Sequence, residues 1–92
     1  MIKVQFNHKY NYTLILAKDE DKMGEICSKF IQKTGNDKNN FYYLYSGNMI
    51  NPELSVSQTI NQVDKDRNIM NLLVFEMDFQ DQNVIINLKY IL

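Results

Sequence analysis

Apolar and polar residues alternate near the start of the chain, a pattern typical of β-strands with one buried face. The alternation runs through residues 2–7 and returns through 12–17, with the polar segment Asn7–Asn11 between the two stretches. The candidate core residues of the first stretch are Ile2, Val4 and Phe6. Two such strands joined by a short polar turn predict a β-hairpin.

The period of the apolar residues changes to 3.6 over Asp19–Gly35, which predicts an amphipathic helix. Its apolar face consists of Met23, Ile26, Cys27 and Phe30. Asp19 is the expected N-cap, and Gly35 suits the left-handed residue that closes a helix. Gly24 costs about 1 kcal/mol relative to alanine inside a helix, so we expect this helix to depend on packing against the rest of the chain.

Shorter elements follow the helix. The aromatic run Phe41–Tyr45 favours a strand, Ser46–Asn48 a turn, and Met49–Ile50 a brief further strand. In the segment 55–63, Ser57 is a candidate cap for a short helix that carries Ile60 and Val63. The charged segment Asp64–Asn68 is expected to form a turn.

The stretch Ile69–Met77 is the most strand-like part of the second half. Two choices of buried face are possible, and one of them would bury the polar side chain of Asn71. The preferred choice therefore points Met70, Leu72 and Val74 inward. The outward residues are then Ile69, Asn71, Leu73 and Phe75.

Composition and charge remove several classes of function. A chain of 92 residues makes one domain, and its net charge of −1 gives no electrostatic footprint for nucleic acid or an anionic membrane. No stretch of about 20 apolar residues is present. Cys27 is the sole cysteine, which excludes an internal disulfide and a multi-cysteine metal site, and favours an intracellular protein, cytoplasmic or nuclear.

The order of these elements resembles the β-grasp fold of ubiquitin and ubiquitin-like domains. The matching residues are Met1-Ile2-x-Val4, Ile26, Phe30, Gly35, the turn Tyr43–Ile50, and Met70-x-Leu72-x-Val74. The resemblance implies an α+β fold, in which one main helix packs across a mixed sheet of four to five strands. It covers residues 1–77 and leaves 78–92 as a C-terminal extension.

The resemblance also separates this sequence from some members of the family. Conjugated and sulfur-carrier members end in Gly-Gly, whereas this sequence has no glycine after Gly47, so we expect a non-conjugated domain. Ferredoxins with a β-grasp fold need four cysteines. From the β-grasp pattern, the absent Gly-Gly and the absence of recognisable catalytic residues, we expect the N-terminal domain of a larger protein.

No residue type or spacing argues for catalysis or a cofactor. His8 lies in the predicted turn without an acid or nucleophile in a recognisable motif. Cys27 lies on the apolar helix face, where a core thiol is favoured over a reactive thiolate. The acidic clusters Asp19–Asp21 and Asp64–Asp66 do not reproduce a calcium-binding loop. We expect a protein that is not an enzyme and binds no metal.

The resemblance implies a protein-binding surface on the outer sheet face, which docks small helical receptor domains in this family. The corresponding residues are His8, Leu44, Asn71 and Leu73. Strand parity independently places Leu44 and Leu73 outward, and an exposed apolar patch usually marks a contact site. The open alternative is that the chain's own C-terminal segment covers them. A third possibility is an edge-strand partner of the Ras-binding or PB1 type, attracted by Lys3, Lys9, Lys18 and Lys22.

The C-terminal segment Val84–Leu92 is strongly apolar and fits a strand and a helix equally well by period, while its β-branched content favours a strand. Such a segment is expected to be covered. Three alternatives are open: it adds a strand to the sheet edge, it pairs with a second copy, or it is the start of a further region of a longer protein. The leading hypothesis is therefore an interaction module that binds through the outer sheet face. The alternative is an assembly subunit that oligomerises or docks through this segment.

Overall fold

The computed structural model describes residues 1–35 and 40–77. The predicted C-terminal segment therefore lies outside the described residues. In chain order, the described elements are β1 (Ile2–His8), β2 (Asn11–Ala17), α1 (Met23–Thr34), β3 (Phe41–Tyr45), β4 (Asn48–Met49), α2 (Val56–Thr59), α3 (Gln62–Arg67) and β5 (Ile69–Glu76).

The strands form one mixed sheet in the order β2-β1-β5-β3-β4. The central strands β1 and β5 are parallel, while β2 is antiparallel to β1 and β3 is antiparallel to both β5 and β4. Helix α1 lies across one face of this sheet and supplies one side of the core. This architecture is the β-grasp roll, so the predicted fold class is confirmed.

The core lies between α1 and the inner face of the sheet. The predicted inward residues of β1 and β5 are buried, as is the whole predicted apolar face of α1. Phe6 and Phe30 stack at the centre with ring centroids 4.5 Å apart, and Tyr43 meets both rings edge-on. The buried inner-face residues are Ile2, Val4, Phe6, Ile15, Ala17, Tyr43, Tyr45, Met70, Leu72 and Val74.

Helix α1 begins later than predicted, at Met23, and the proposed N-cap at Asp19 is wrong. The first amide groups of the helix donate to backbone carbonyls of a distant loop, from Met23 to Leu54 at 2.8 Å and from Gly24 to Pro52 at 3.0 Å. These bonds replace a capping side chain, because they satisfy N–H groups that have no partner inside the helix. The end of the helix agrees with the prediction.

Two left-handed turns set the ends of neighbouring elements, and β4 begins one residue earlier than the predicted strand Met49–Ile50. Gly35 closes α1 with φ 71° and donates to the Ile31 carbonyl. Ser46 and Gly47 join β3 to β4 with φ 50° and 81°. Positive φ at both central residues is the requirement of a type I′ hairpin turn, whose twist matches that of the flanking strands.

The segment between β4 and β5 differs from the prediction. Ser55, not Ser57, caps the first short helix, through a capping box with Gln58. The expected charged turn Asp64–Asn68 is wrong, because most of this segment is helical. Helix α3 begins after its N-cap Asn61 and ends at Arg67. No helix in the described ranges has the length and apolar character needed to span a lipid bilayer.

Candidate interaction surface

The face of the sheet opposite α1 carries a cluster of apolar side chains on three neighbouring strands. Leu73 on β5 lies directly opposite Leu44 on β3, which in turn lies opposite Met49 on β4. Tyr42 and Phe75 form the next pair along the same two strands. Cross-strand partners share a face of the sheet, so these five residues form one surface, named here the outer patch.

The outer patch is substantially exposed. The exposed fractions are 49% for Leu73, 40% for Phe75 and 58% for Met49, while Leu44 and Tyr42 are half-buried. The rings of Tyr42 and Phe75 stack at 5.2 Å between centroids and 17° between planes. This stacking orders two large side chains in the free protein, which lowers the conformational entropy that a partner must remove on binding.

A polar stripe borders the outer patch along β1, from Lys3 through Gln5 to Asn7. The Asn7 amide nitrogen donates to the Leu72 carbonyl at 3.0 Å, so this side chain lies flat against the sheet. Asn71 lies next to Gln5 in the register and completes the polar border on β5. The outer patch is therefore an apolar area with a defined polar margin, which is the usual anatomy of a protein-binding site.

A second apolar strip lies beyond the polar stripe, on the edge strand β2. Tyr12, Leu14 and Leu16 are exposed there, while Ile15 and Ala17 of the same strand are buried. The sequence alone did not assign these faces, since both alternating sets of β2 are largely apolar and Thr13 falls in the set of Ile15 and Ala17. The signal that identifies the strip is the pairing of Leu16 with Lys3, because Lys3 faces outward.

Three of the four residues predicted for the binding surface lie together. Leu44 and Leu73 are direct cross-strand neighbours, and Asn71 lies on the same face of β5 two residues from Leu73. Their role in binding stays a prediction. Sequence reasoning missed the aromatic pair of Tyr42 and Phe75, although Phe75 had been assigned the outward parity.

His8 does not join this group. It is the last residue of β1 and lies on the helix side of the sheet, not in a turn as predicted, because the turn consists of only Lys9 and Tyr10. Its Nε2 is 3.2 Å from Glu76 Oε1, and its ring meets Phe41 edge-on at 5.0 Å. The outer patch therefore excludes His8.

The candidate reactive or charged groups are the cysteine, the potential metal ligands and the lysines. Cys27 is buried in the core, and burial raises the pKa of its thiol to about 12. Within residues 1–35 and 40–77, no set of three or more potential ligands is placed to hold a metal ion. Two of the lysines considered for an acidic partner have carboxylates nearby, with Lys9 at 3.4 Å from Glu76 and Lys22 at 3.6 Å from Glu53.

A hydrogen-bond network behind the sheet fixes the hairpin that carries part of the outer patch. The Tyr45 hydroxyl on β3 donates to Asp64 Oδ2 at 2.6 Å and accepts from the Asn61 amide at 3.0 Å. Arg67 donates to the other oxygen of Asp64 at 2.7 Å. The bond from Tyr45, and then that from Arg67, lower the pKa of the Asp64 carboxyl. The network thus ties β3 to α3 and holds Leu44 in register.

The described residues form a small domain of the β-grasp fold with an exposed apolar sheet face. No family model matches the sequence, and no curated protein matches it significantly. Among solved structures, the chain is similar to the crystal structure of ATBAG1 in complex with HSP70, with a TM-score of 0.68 and 14% sequence identity. The likeness covers 99% of this chain and 49% of that chain, so this chain spans about half of its length.

This likeness shows the fold of the chain, and many other solved structures match the chain as well. In total, 95 chains match, and a fold used so widely does not define a function. A function for this chain is therefore inferred from its own surface.

Proposed function

We propose that this chain is a ubiquitin-like protein-interaction module and that the outer patch is its docking surface. The observation that carries the proposal is the direct pairing of Leu44 with Leu73 on an exposed sheet face, extended by Met49 and by the stacked pair of Tyr42 and Phe75. An isolated exposed leucine needs no explanation, whereas a contiguous apolar patch with a polar rim is typical of a contact site.

The shape and chemistry of the outer patch favour one kind of partner. Its side chains stand on three adjacent strands in two short rows, and it has no charged member. A surface of this kind accepts the apolar face of an amphipathic helix, whose residues at i, i+3, i+4 and i+7 form a stripe of similar width. The partner proposed here is therefore a small helical protein domain.

Two further observations support binding rather than catalysis. His8 and Cys27, the single histidine and the single cysteine of the chain, lie on the helix side of the sheet and not on the outer patch. The ATBAG1 structure contains a second protein, HSP70, so a chain of similar fold occurs in a protein complex. This comparison supports a protein partner in general and does not identify one.

Affinity capture from a lysate tests this proposal when it includes a matched control variant. Leu44→Ala removes the central side chain of the outer patch, and Leu54→Ala makes the same change on the helix side, in the loop before α2. We expect Leu44→Ala to fold and to lose the captured protein, while Leu54→Ala retains it. Equal capture by the two variants would contradict the assignment of the outer patch.

A further inference from the structure

A surface cleft opens on the helix side of the molecule, between α1 and the β3–β4 hairpin. Its volume is about 410 Å³, which lies within the range of about 300–1,000 Å³ found for ligand pockets. We name it the helix–hairpin cleft. The residues that matter for its chemistry are Cys27, Ile31, Tyr43, Met49, Ile50 and Met77.

The walls of the helix–hairpin cleft are apolar and carry no charge. None of the described residues that line it is Asp, Glu, Lys or Arg. Tyr43 is 9% exposed, and its buried hydroxyl has no hydrogen-bond partner within the described part of the chain. Buried hydroxyl groups are nearly always paired, so this oxygen is an exception among the described residues.

The described chain leaves the sheet at the rim of this same cleft. Met77 follows β5 and lines the cleft, and its amide donates to the Asn40 carbonyl at 2.7 Å. Asn40 lines the cleft as well. The chain continues from Met77 into Asp78, so the covalent connection at the cleft rim gives the C-terminal segment a high local concentration there.

We propose that the apolar segment Val84–Leu92 of the same chain lies in the helix–hairpin cleft. Seven of its nine residues are apolar or aromatic, and Lys89 is its one charged residue. The uncharged cleft is suited to such a segment and not to a charged ligand. The six residues from Asp78 to Asn83 span up to about 20 Å when extended. Helix α1, with 12 residues, is about 18 Å long, so the linker reaches any point along the cleft.

This placement leaves the centre of the outer patch free. Tyr42 and Met49 line the cleft as well as the patch, whereas Leu44, Leu73 and Phe75 do not line the cleft. The paired leucines can therefore bind a partner whether or not the cleft is filled from within. The placement does compete with two other positions for the C-terminal segment, namely the outer patch itself and a second copy of the chain.

Methyl nuclear Overhauser effects (NOEs) on the full chain distinguish these positions. We expect NOEs from the Ile31 and Ile50 methyl groups to those of Val84–Leu92, within one molecule. NOEs from the segment to Leu14 or Leu73 would overturn the proposal, and so would the absence of NOEs to the folded domain. A sample mixed from labelled and unlabelled chains detects contacts between copies, which would also overturn it.

A pair of variants adds a control to the same experiment. Ile31→Lys places a charge on the half-buried cleft wall, and Leu14→Lys places the same charge on the outer face of β2. We expect Ile31→Lys to lose the NOEs between Ile50 and the segment, and Leu14→Lys to keep them. Retention of these NOEs in both variants would contradict docking in the cleft. If Ile31→Lys does not fold, the spectra of the unaltered chain decide the question.

Discussion

The hydroxyl of Tyr45 gives the sharpest prediction about how the interaction surface is held. Tyr45→Phe removes one oxygen, which donates to Asp64 and accepts from the Asn61 amide. A hydrogen bond to a charged group contributes about 1.5–3 kcal/mol, and water can replace part of it at a partly exposed carboxylate. We therefore expect the free energy of unfolding to fall by about 1–2 kcal/mol.

The pH dependence of this effect follows from the pKa of Asp64. The folded state lowers that pKa, chiefly through the Tyr45 hydrogen bond and then through Arg67. A carboxyl with a depressed pKa stabilises the fold above its unfolded value of about 3.9, and this stabilisation is lost as the pH falls through the folded pKa. The difference between Tyr45→Phe and the parent chain is thus expected to narrow in strong acid.

Urea unfolding at neutral pH and at low pH measures both quantities. Tyr10→Phe is the matched control, because Tyr10 is 98% exposed and its hydroxyl change is expected to alter stability by less than about 0.5 kcal/mol. In thermal unfolding, 1 kcal/mol corresponds to about 4–8 °C for a domain of this size. If Tyr45→Phe lowers the free energy of unfolding at neutral pH by no more than Tyr10→Phe does, the role assigned to the hydrogen-bond network is refuted.

Three further predictions concern helix packing, thiol reactivity and capping. Gly24→Ala should not give the gain of about 1 kcal/mol expected from helix propensity, because the added Cβ would lie 3.1 Å from Pro52 Cβ; a clear rise in urea midpoint would contradict this. Cys27 should react with iodoacetamide far more slowly than free cysteine at pH 8, since burial raises its pKa to about 12; equal rates, measured by mass spectrometry, would show that it is accessible. Ser55→Ala should lower stability by about 0.5–2 kcal/mol through loss of the α2 cap, whereas an unchanged unfolding curve would mean that the capping box with Gln58 contributes nothing.

Strand parity was predictable where polar and apolar residues alternate without ambiguity. In β5, the polar Asn71 determined the buried face, and Met70, Leu72 and Val74 are indeed buried. In β2, the polar Thr13 belongs to the same alternating set as the buried Ile15 and Ala17, so it does not mark the exposed face. The exposed strip of Leu14 and Leu16 became visible only through the pairing with β1.

The start of α1 was not predictable from local sequence, because its cap comes from elsewhere in the chain. The carbonyls of Pro52 and Leu54 take the place of a capping side chain, and they lie about 30 residues from the amides that they accept from. Asp21, meanwhile, accepts from the Lys18 amide in the turn before the helix. Asp21 therefore stabilises the turn before α1 and does not cap the helix.

The relative positions of the candidate residues were predictable for Leu44 and Leu73 but not for His8, while the binding role of all of them stays a prediction. Leu44 and Leu73 were placed by parity and by resemblance, and the structure puts them side by side. His8 was placed by resemblance alone. A hairpin turn of two residues, with Lys9 at φ 57°, keeps His8 within β1 and on the helix side. A shift of a few residues in a turn is enough to move a side chain to the opposite face.

The central claim is that the outer patch binds a protein partner. Its most direct test is the dissociation constant of the purified, captured partner, measured by calorimetry for the parent chain, Leu73→Ala and Leu54→Ala. A central contact residue costs more than about 1.4 kcal/mol on truncation, which is a tenfold change in affinity. We predict a constant at least about tenfold weaker for Leu73→Ala and an unchanged one for Leu54→Ala. Equal affinities of the parent chain and Leu73→Ala would contradict the account.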